Sequence, residues 1–462
     1  GKASQSERRS RKTCSEQLAK REVKPDRSAR SLPEVPVSVR PSSKLVPLLF
    51  TLAGCGVPEP PGSTGGTDSA ETECGRGLVV ISSDYQSSNV SLLDPQGNVL
   101  SSSFISSASS GVRLNAPLSG DVVVPGARLA GDRAVLLDRK AASVVSWIDL
   151  KTARVTAQLG VGTGFSANPH DYIEVRPDLA FVTRFDPNPE PGRQAFDGGD
   201  DVLVLDPSVP AIIGRIDLSS ALGENSQGFF PRPDKLRVVG DQLYVLASAY
   251  SADFQDSLES RIVRVDLESQ SVAEVLVLDG LHACAGLALS PSEQQLAVSC
   301  SGPFGGDAII PEGSGLGLVD IRDGLRLERS IPAGELTTDP LAYSLDYLND
   351  ETLLITTFGR FEPGKPPRPD RLIQLDLRDL SGEELLASAS LPFTLGDVRC
   401  NPACGDCFLT DAGRGGVVHR FGFEVPGAGE AQAQVHLGPL SLQSSTRPDT
   451  EIGLPPRYLG AF

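Results

Sequence analysis

The chain has 462 residues, 39% of them hydrophobic, with 47 glycines, 36 prolines and a formal net charge of −17. The charge is uneven, because residues 1–54 hold 12 of the 42 basic side chains and only 5 of the 59 acidic ones. The rest of the chain is therefore strongly acidic and repels phosphate backbones and anionic lipid surfaces. This excludes nucleic acid as an expected partner and leaves membrane contact only through an anchor.

The N-terminal segment, residues 1–36, is polar and basic, and the whole chain contains no methionine. We expect this segment to be a non-native or disordered extension. Residues 37–54 follow and end in the apolar stretch LVPLLFTLAG behind Arg40 and Lys44. A basic flank, a short apolar stretch and small residues before a cleavage point are typical of a secretory signal. The stretch is too short for a membrane span, which takes about 20 residues.

The last four residues of this region, Leu52-Ala53-Gly54-Cys55, resemble the bacterial lipoprotein box. The resemblance implies cleavage before Cys55, lipid on its sulfur and anchoring at the bacterial cell envelope. Gly56 stands where an aspartate retains many such proteins at the inner membrane, so the outer membrane is favoured. The alternative is a buried apolar strand beside a chance cysteine. Residues 55–76 are rich in Pro, Gly, Ser and Thr and are predicted to be a flexible, lipid-anchored linker.

A strand-like apolar run ending on aspartate recurs six times, and we find no long helical periodicity. Consecutive repeats lie 54 to 60 residues apart, at Asp94, Asp149, Asp206, Asp266, Asp320 and Asp376. A signal at near-constant spacing indicates one repeated unit of strands. We predict an all-β, seven-bladed β-propeller of four-stranded antiparallel blades over residues 77–462. The six aspartates precede turns, so they are predicted to form turns instead of a catalytic or metal site.

The blade pattern is clearest in the third repeat, where strands are predicted at 169–176, 178–185, 201–206 and 211–218. The first blade lacks its inner strand, because nothing before Gly77 supplies one. The segment 455–462 reads as that missing strand. Pairing of the C-terminal strand with the first blade would close the ring and remove its free edge.

Segments such as DLAFVTRF, QLYVLAS and QLAVSCSG resemble the YVTN-type, YncE-like repeat propellers of bacterial cell-surface and periplasmic proteins. The resemblance covers about residues 77–462 and implies the propeller fold with a binding or surface role, without identifying a ligand. The seventh blade departs from the pattern, because VVHRFGFEV has no aspartate at the repeat position and its hairpin holds three cysteines.

Four connections between second and third strands, 186–200, 249–260, 301–314 and 359–370, are long and share one face. Binding residues concentrate on loops held by a rigid scaffold. Phe229 and Phe230 are favoured there, since adjacent exposed aromatics are costly unless they pack or bind. The ligand-binding candidates on this face are His170, Asp171, Arg184, Asp186, Asp200, Asp201, Phe229, Phe230, Arg232, Asp234, Lys235, Tyr250, Asp253 and His282.

The loop 186–201 is acidic, and calcium favours several carboxylate and carbonyl oxygens. It could bind calcium through Asp186, Asp197, Asp200 and Asp201, although its spacing matches no EF-hand. We expect no cofactor, with calcium as the alternative.

Six cysteines remain in the expected mature chain, and an even number in an exported protein favours disulfides. Hairpin geometry places Cys284 opposite Cys300, and Cys400 and Cys407 flank a short loop in the same way. Cys74 and Cys404 then remain to join the first and last blades. The alternative is a zinc site built on Cys400, Cys404 and Cys407, but only one such knuckle is present.

No catalytic motif is found, and the four histidines are scattered. We therefore expect a monomeric, lipid-anchored binding or scaffold module whose partner is an envelope protein or a small molecule. The alternative is a metal-dependent hydrolase of the lactonase type with acidic residues near the axis. Its candidate residues form an incomplete set: Asp171, Glu174, Asp234, His282 and Asp346.

Overall fold

The computed structural model describes residues 75–462, apart from 111–113, 141, 225, 306–307, 310, 363, 390, 414 and 424–438. The expected signal, Cys55, Cys74 and the linker up to residue 74 lie outside the described residues and stay predictions. Within the described part, no helix has the length and apolar character needed to cross a membrane.

The first four blades contain the following elements in chain order. Blade one holds β1 (Leu78–Ser83), β2 (Ser88–Leu93) and β3 (Val99–Ser106). Blade two holds β4 (Val122–Val123), β5 (Arg133–Asp138), β6 (Val144–Asp149) and β7 (Arg154–Gly160). Blade three holds β8 (Pro169–Arg176), β9 (Leu179–Pro187), β10 (Gly199–Asp206) and β11 (Ala211–Asp217), followed by a 3-10 turn (Ser219–Leu222). Blade four holds β13 (Pro233–Val239), β14 (Gln242–Ala247), β16 (Glu259–Asp266) and β17 (Ser271–His282), with the small ribbon β12 (Phe229–Phe230) and β15 (Tyr250–Ser251) above it.

The remaining blades follow the same pattern. Blade five holds β18 (Cys284–Leu289), β19 (Gln295–Ser301), β22 (Ser314–Asp320) and β23 (Arg326–Pro332), with the ribbon β20 (Phe304–Gly305) and β21 (Ala308–Ile309). After the one-turn helix α1 (Ala333–Leu336), blade six holds β24 (Leu341–Asn349), β25 (Thr352–Thr357), β26 (Arg371–Asp376) and β27 (Gly382–Ala387). Blade seven holds β28 (Leu395–Asn401), β29 (Asp406–Asp411), β30 (Val417–Gly422) and β31 (Ser441–Thr446), and the chain ends with β32 (Pro456–Ala461).

The seven four-stranded antiparallel blades confirm the predicted propeller and its closure by the C-terminal strand. In the first blade the strand order is β3-β2-β1-β32, so β32 is the innermost strand there. Its register pairs Leu78 with Ala461 and Ile81 with Tyr458. One difference concerns the third blade, where β9 and β10 extend to Pro187 and Gly199 and pair there. The predicted loop 186–200 is therefore shorter than expected.

The hydrophobic core lies between adjacent blades, which explains why the middle strands are apolar on both faces. In β10, Val202 and Val204 belong to a cluster shared with the fourth blade. Leu203, on the opposite face, packs in a cluster that includes Trp147 of the second blade. Since side chains alternate along a strand, a middle strand buried on both faces is apolar along most of its length, and its buried polar residues, such as Asp201, are hydrogen-bonded.

The six repeated aspartates form turns, as predicted. Each accepts a hydrogen bond from a backbone N–H two to four residues further along the chain. Asp94, for example, accepts from Gln96 at 2.9 Å and from Asn98 at 2.7 Å.

Two predicted disulfides are confirmed, Cys284–Cys300 and Cys400–Cys407. The second pairing contradicts the alternative zinc site, because it consumes two of its three thiolates. Cys404 is also disulfide-bonded. Its predicted pairing with Cys74 stays a prediction.

Candidate functional site

A cavity of about 540 Å³ opens along the propeller axis, and we call it the axial cavity. The innermost strand of every blade contributes to its wall. One lining residue from each of the seven innermost strands, in chain order, is Val123, His170, Asp234, Ala285, Tyr343, Asp397 and Tyr458. Its volume lies within the range of about 300–1,000 Å³ that is typical of small-molecule sites.

Irregular strand pairing directs several of these side chains towards the axis. The inner strands β8, β13, β18, β24 and β28 each shift register against their neighbour close to their first residue. His170, Asp234, Ala285, Tyr343 and Asp397 all lie inside these shifts. A bulge bends a strand and re-aims a side chain. The wall of the axial cavity is therefore built by the same local irregularity in five successive blades.

One side of the axial cavity is aromatic and is supported by a buried arginine. The imidazole of His170 stacks on Phe185 with 4.2 Å between ring centroids, and Tyr250 lies 5.5 Å from Phe254. The guanidinium carbon of Arg232 lies 4.2 Å from the centroid of Phe254. This cation–π contact holds the exposed ring of Phe254 at the cavity mouth.

A second aromatic cluster is centred on the sixth blade. Tyr343 packs edge-on against Phe358 at 4.8 Å, and Phe358 lies 5.2 Å from Phe393. Tyr343 is 43% exposed, and it lines the cavity with that surface. Burial raises the pKa of the phenol groups of Tyr343 and Tyr250, so both hydroxyls stay protonated hydrogen-bond donors.

Asp234 is a buried, charged residue in the wall of the axial cavity. Its carboxylate lies 3.1 Å from Nδ1 of His170 and 3.4 Å from Nζ of Lys235. Burial opposes ionisation of Asp234, but His170 and Lys235 outweigh it and hold its pKa below the usual value. Burial lowers the pKa of His170 despite Asp234, so the imidazole is neutral near pH 7.

Arg139 and Arg399 are two further cations of the axial cavity. Arg139 donates from Nε to Asp121 at 3.0 Å. Arg399 also lines a second cavity of about 230 Å³ that includes Arg128 and Asp346. Arg399 therefore contributes to the walls of both cavities.

Three carboxylates near the axis join neighbouring inner strands to one another. Asp171 accepts from the N–H of Leu236 in the next blade at 2.9 Å. In the same way Asp346 accepts from Cys400 at 2.8 Å, and Asp397 accepts from Leu459 at 3.1 Å. These residues brace the ring, and no group of three or more His, Cys, Asp or Glu side chains in the described part of the chain is placed to hold a metal ion.

The structure brings four predicted candidates together in the axial cavity: His170, Asp234, Lys235 and Tyr250. Two other candidates form a buried pair instead, since Arg184 contacts both carboxylate oxygens of Asp201 at 2.7 and 2.6 Å. Arg184 is fully buried, so this pair stabilises the third blade.

Two further candidates, Asp186 and Asp200, are bonded to Arg232. Asp186 forms an ion pair with its guanidinium, and Asp200 accepts its backbone N–H at 2.5 Å. Burial raises the pKa of Asp200 to about 8, against the opposing charge of Arg232. Arg232 is 2% exposed and supports the cavity mouth from behind.

The remaining candidates lie away from the axial cavity. Phe229 and Phe230 are half-buried in a two-stranded ribbon, where Phe230 pairs with Tyr250. Asp253 accepts from Ser251 at 2.8 Å within an exposed turn. His282 lies 3.1 Å from the hydroxyl of Ser257.

The four carboxylates considered for calcium do not converge. Asp186 and Asp201 pair with arginines, and Asp200 accepts the N–H of Arg232. Asp197 accepts backbone N–H groups of Gly192, Arg193 and Gln194 within its own loop. Each carboxylate is already bonded to protein donors, and this geometry does not favour calcium.

Sequence reasoning missed Arg139, Tyr343, Asp397, Arg399 and Tyr458. A partial signal was present, because each of the inner strands β8, β13, β18, β24, β28 and β32 has a cavity residue at its second or third position, although Arg399 is the fifth residue of β28. Aligning the starts of the inner strands would have identified Tyr343, Asp397 and Tyr458. Arg139 follows a middle strand and carries no such signal.

Comparison with known proteins supports the fold. No known sequence family and no curated protein matches the chain. A Bacteroides fragilis protein provisionally assigned as a 6-phosphogluconolactonase is 11% identical, with a TM-score of 0.51 over 86% of this chain and 100% of its own. The β-propeller domain of Myceliophteria thermophila Cps50 is 12% identical, with a TM-score of 0.47 over 73% and 93%. Citrobacter koseri AztD in its apo form is 13% identical, with a TM-score of 0.44 over 84% and 97%. Likeness at this identity shows a β-propeller, and the closer resemblance to YncE-like propellers stays a prediction.

Proposed function

We propose that this β-propeller is a binding module that holds a small molecule in its axial cavity. The observation that carries the proposal is the convergence of the inner strands of all seven blades on one cavity of about 540 Å³. Its wall combines aromatic faces with hydroxyl and charged groups, as small-molecule sites commonly do. A site built from every blade is rigid, so little conformational entropy is lost on binding.

The carboxylates near the axis are already bonded to protein groups, which favours a binding role over metal-dependent hydrolysis. Asp171, Asp346 and Asp397 each accept a backbone N–H from the next blade. Asp234 is bonded to His170 and Lys235. A catalytic metal needs several convergent ligands. No specific observation supports the lactonase-type alternative, whose basis is fold analogy.

A cavity-filling variant tests the binding proposal. The exported propeller is purified under native conditions, and retained small molecules are identified by native mass spectrometry. We expect a retained molecule in the unsubstituted protein and its loss in Ala285→Phe, since Ala285 lines the cavity. Val209→Phe is the matched control, because Val209 is 70% exposed outside the cavity. Retention of the same molecule by Ala285→Phe would contradict the proposed site. If the unsubstituted protein retains nothing, binding of a library of small anions, cations and neutral compounds is measured, and failure of all of them would contradict the proposal.

We propose further that the module is attached to the bacterial outer membrane through lipid on Cys55. The support is the sequence LAGC after an apolar stretch, together with disulfides, which form and persist in exported proteins. Cell fractionation tests this with Cys55→Ala. We expect the unsubstituted protein in the membrane fraction and the variant in the soluble fraction. An unmodified Cys55 in the exported protein would contradict the anchor.

A further inference from the structure

The charged side chains that line the axial cavity differ in how many of their hydrogen-bonding groups already have a partner in the protein. Three cations, Arg139, Lys235 and Arg399, share the lining with two carboxylates, Asp234 and Asp397. Asp234 is bonded to His170 and Lys235, and one oxygen of Asp397 accepts from a backbone N–H and faces Arg399. Arg139 donates to Asp121 and to the hydroxyl of Tyr458, so the unused donors beside these carboxylates belong to Lys235 and Arg399.

Lys235 has the most unused hydrogen-bonding capacity. Its ammonium group offers three donors. Its ion-pair partner within the described part of the chain is Asp234, at 3.4 Å. Lys235 comes directly after the register shift in β13, and its side chain lines the cavity at 26% exposure.

Arg399 also keeps donors that the protein does not satisfy. Nη1 donates to the backbone oxygen of Val398 at 2.8 Å, and Nη2 lies 3.4 Å from Asp397. The Nε has no hydrogen-bond partner among the described residues, but it is closed to solvent and a ligand in the cavity does not reach it. A guanidinium has five N–H donors, so the remaining Nη hydrogens are the ones open to a ligand.

Arg237 adds positive charge next to this cluster. Its guanidinium donates to the backbone oxygens of Leu236 and Leu287, and Asp171 lies 3.8 Å away. Burial and repulsion from Arg399 lower the pKa of Arg237, while Asp171 and Asp346 oppose that shift. A ligand anion beside Arg399 would reduce the same repulsion further.

The aromatic lining of the cavity suits a flat ring. Tyr250, Phe254 and Tyr343 all line the cavity. Aromatic rings pack favourably against such faces in stacked or edge-on geometry. The phenol hydroxyls of Tyr250 and Tyr343 add neutral donors beside the ring.

We propose that the axial cavity binds an aromatic carboxylate, with its ring between Tyr250, Phe254 and Tyr343 and its carboxylate on Lys235 and Arg399. This inference rests on the proposed binding function and names the ligand class. The carboxylate would accept hydrogen bonds from the donors that the protein leaves unused. Charge-assisted hydrogen bonds of this kind are roughly twice as strong as neutral ones.

The experiment compares three probes of matched shape with different charge: naphthoate, its neutral amide and naphthylmethylammonium. Binding to the exported propeller is measured by isothermal titration calorimetry. We expect naphthoate to bind at least about tenfold more tightly than either other probe, a difference of about 1.4 kcal/mol. Equal or tighter binding of the amide or the ammonium would overturn the inference.

Variants locate the charge contact. Lys235→Met is expected to weaken naphthoate binding by at least about tenfold and to leave binding of the amide unchanged. Lys151→Met is the matched control, because Lys151 is 73% exposed on an outer turn and pairs with Asp132. Thermal unfolding confirms that both variants are folded. Arg399→Lys, which keeps one charge, is expected to weaken naphthoate binding less than Lys235→Met weakens it. Unchanged naphthoate binding in Lys235→Met would overturn the inference.

Failure of the ligand class and failure of the binding function give different results. If no probe binds but the propeller retains another small molecule that Ala285→Phe loses, the ligand class is wrong and the binding function stands. If no probe binds, nothing is retained and the wider library also fails, both are wrong.

Discussion

The guanidinium of Arg139 donates a hydrogen bond from Nη2 to the hydroxyl of Tyr458 at 3.1 Å, across 319 positions of the chain. Arg139 belongs to the second blade, and Tyr458 lies on the strand that completes the first. Both residues line the axial cavity. Closure of the ring and construction of the cavity therefore depend on the same contact.

Removal of the last ten residues is expected to abolish cooperative unfolding of the propeller. The deletion removes β32, which pairs with β1 and buries Leu459 completely. It would leave β1 as an unpaired edge and open the ring. Circular dichroism during thermal unfolding measures the effect.

Tyr458→Phe is the control for this deletion. It keeps the strand and loses only the hydroxyl contact with Arg139, which we expect to cost about 0.5–1.5 kcal/mol. A truncated protein with an unchanged cooperative transition would show that β32 does not close the fold.

Asp171→Ala is expected to lower the free energy of unfolding by about 3 kcal/mol or more. The carboxylate is 1% exposed and accepts from the N–H groups of Gly126, Tyr172 and Leu236. Its removal leaves three buried donors unpaired, at about 1–3 kcal/mol each when no water replaces the carboxylate. Urea unfolding measures the change. Asp178→Ala, on an exposed turn, should change stability by less than about 0.5 kcal/mol, and equal effects of the two substitutions would contradict the bracing role of Asp171.

Asp200 is expected to make the propeller less stable as the pH rises. Burial raises the pKa of this carboxyl in the folded state from its ordinary value of 3.8 to about 8. The folded state therefore binds more protons than the unfolded state between these two values. The contribution of Asp200 to stability is complete below its unfolded pKa and is lost as the pH rises through its folded pKa.

The variant Asp200→Asn isolates this contribution, because the amide stays neutral and its oxygen can still accept the N–H of Arg232. Urea unfolding at about pH 5 and about pH 8 should show a smaller loss of stability in the variant than in the unsubstituted protein. Parallel pH profiles of the two proteins would show that Asp200 does not carry the effect.

Removal of the disulfide Cys284–Cys300 is expected to cost about 3 kcal/mol, since it closes a loop with a sequence separation of 16. Both cysteines are fully buried, so the double substitution to alanine avoids burying new polar groups. The corresponding variant of Cys400–Cys407, with a separation of 7, should lose less stability, about 2 kcal/mol. Differential scanning calorimetry compares the two, and the reverse order would contradict this loop-length argument.

The sequence alone determined the features that depend on neighbours along the chain. The six turn aspartates, the strands of each blade and the two hairpin disulfides were predictable because each contact joins residues within one repeat. Closure by residues 455–462 was predictable as well, since the repeat pattern lacks one inner strand in the first blade. Regular spacing and alternating side chains carry this information directly.

Only the tertiary structure decided which side chains meet at the axis. Arg184 and Asp201 were predicted to contact ligand because they lie beside the long loops, yet they pair with each other in the core. His170 and Asp234 reach the cavity because a register shift turns each inner strand at its start. A slip of one residue reverses the face of a strand side chain, so a position near the start of an inner strand does not by itself show that the side chain reaches the axis. The meeting of Arg139 with Tyr458 requires the whole ring to close, so no local pattern could have predicted it.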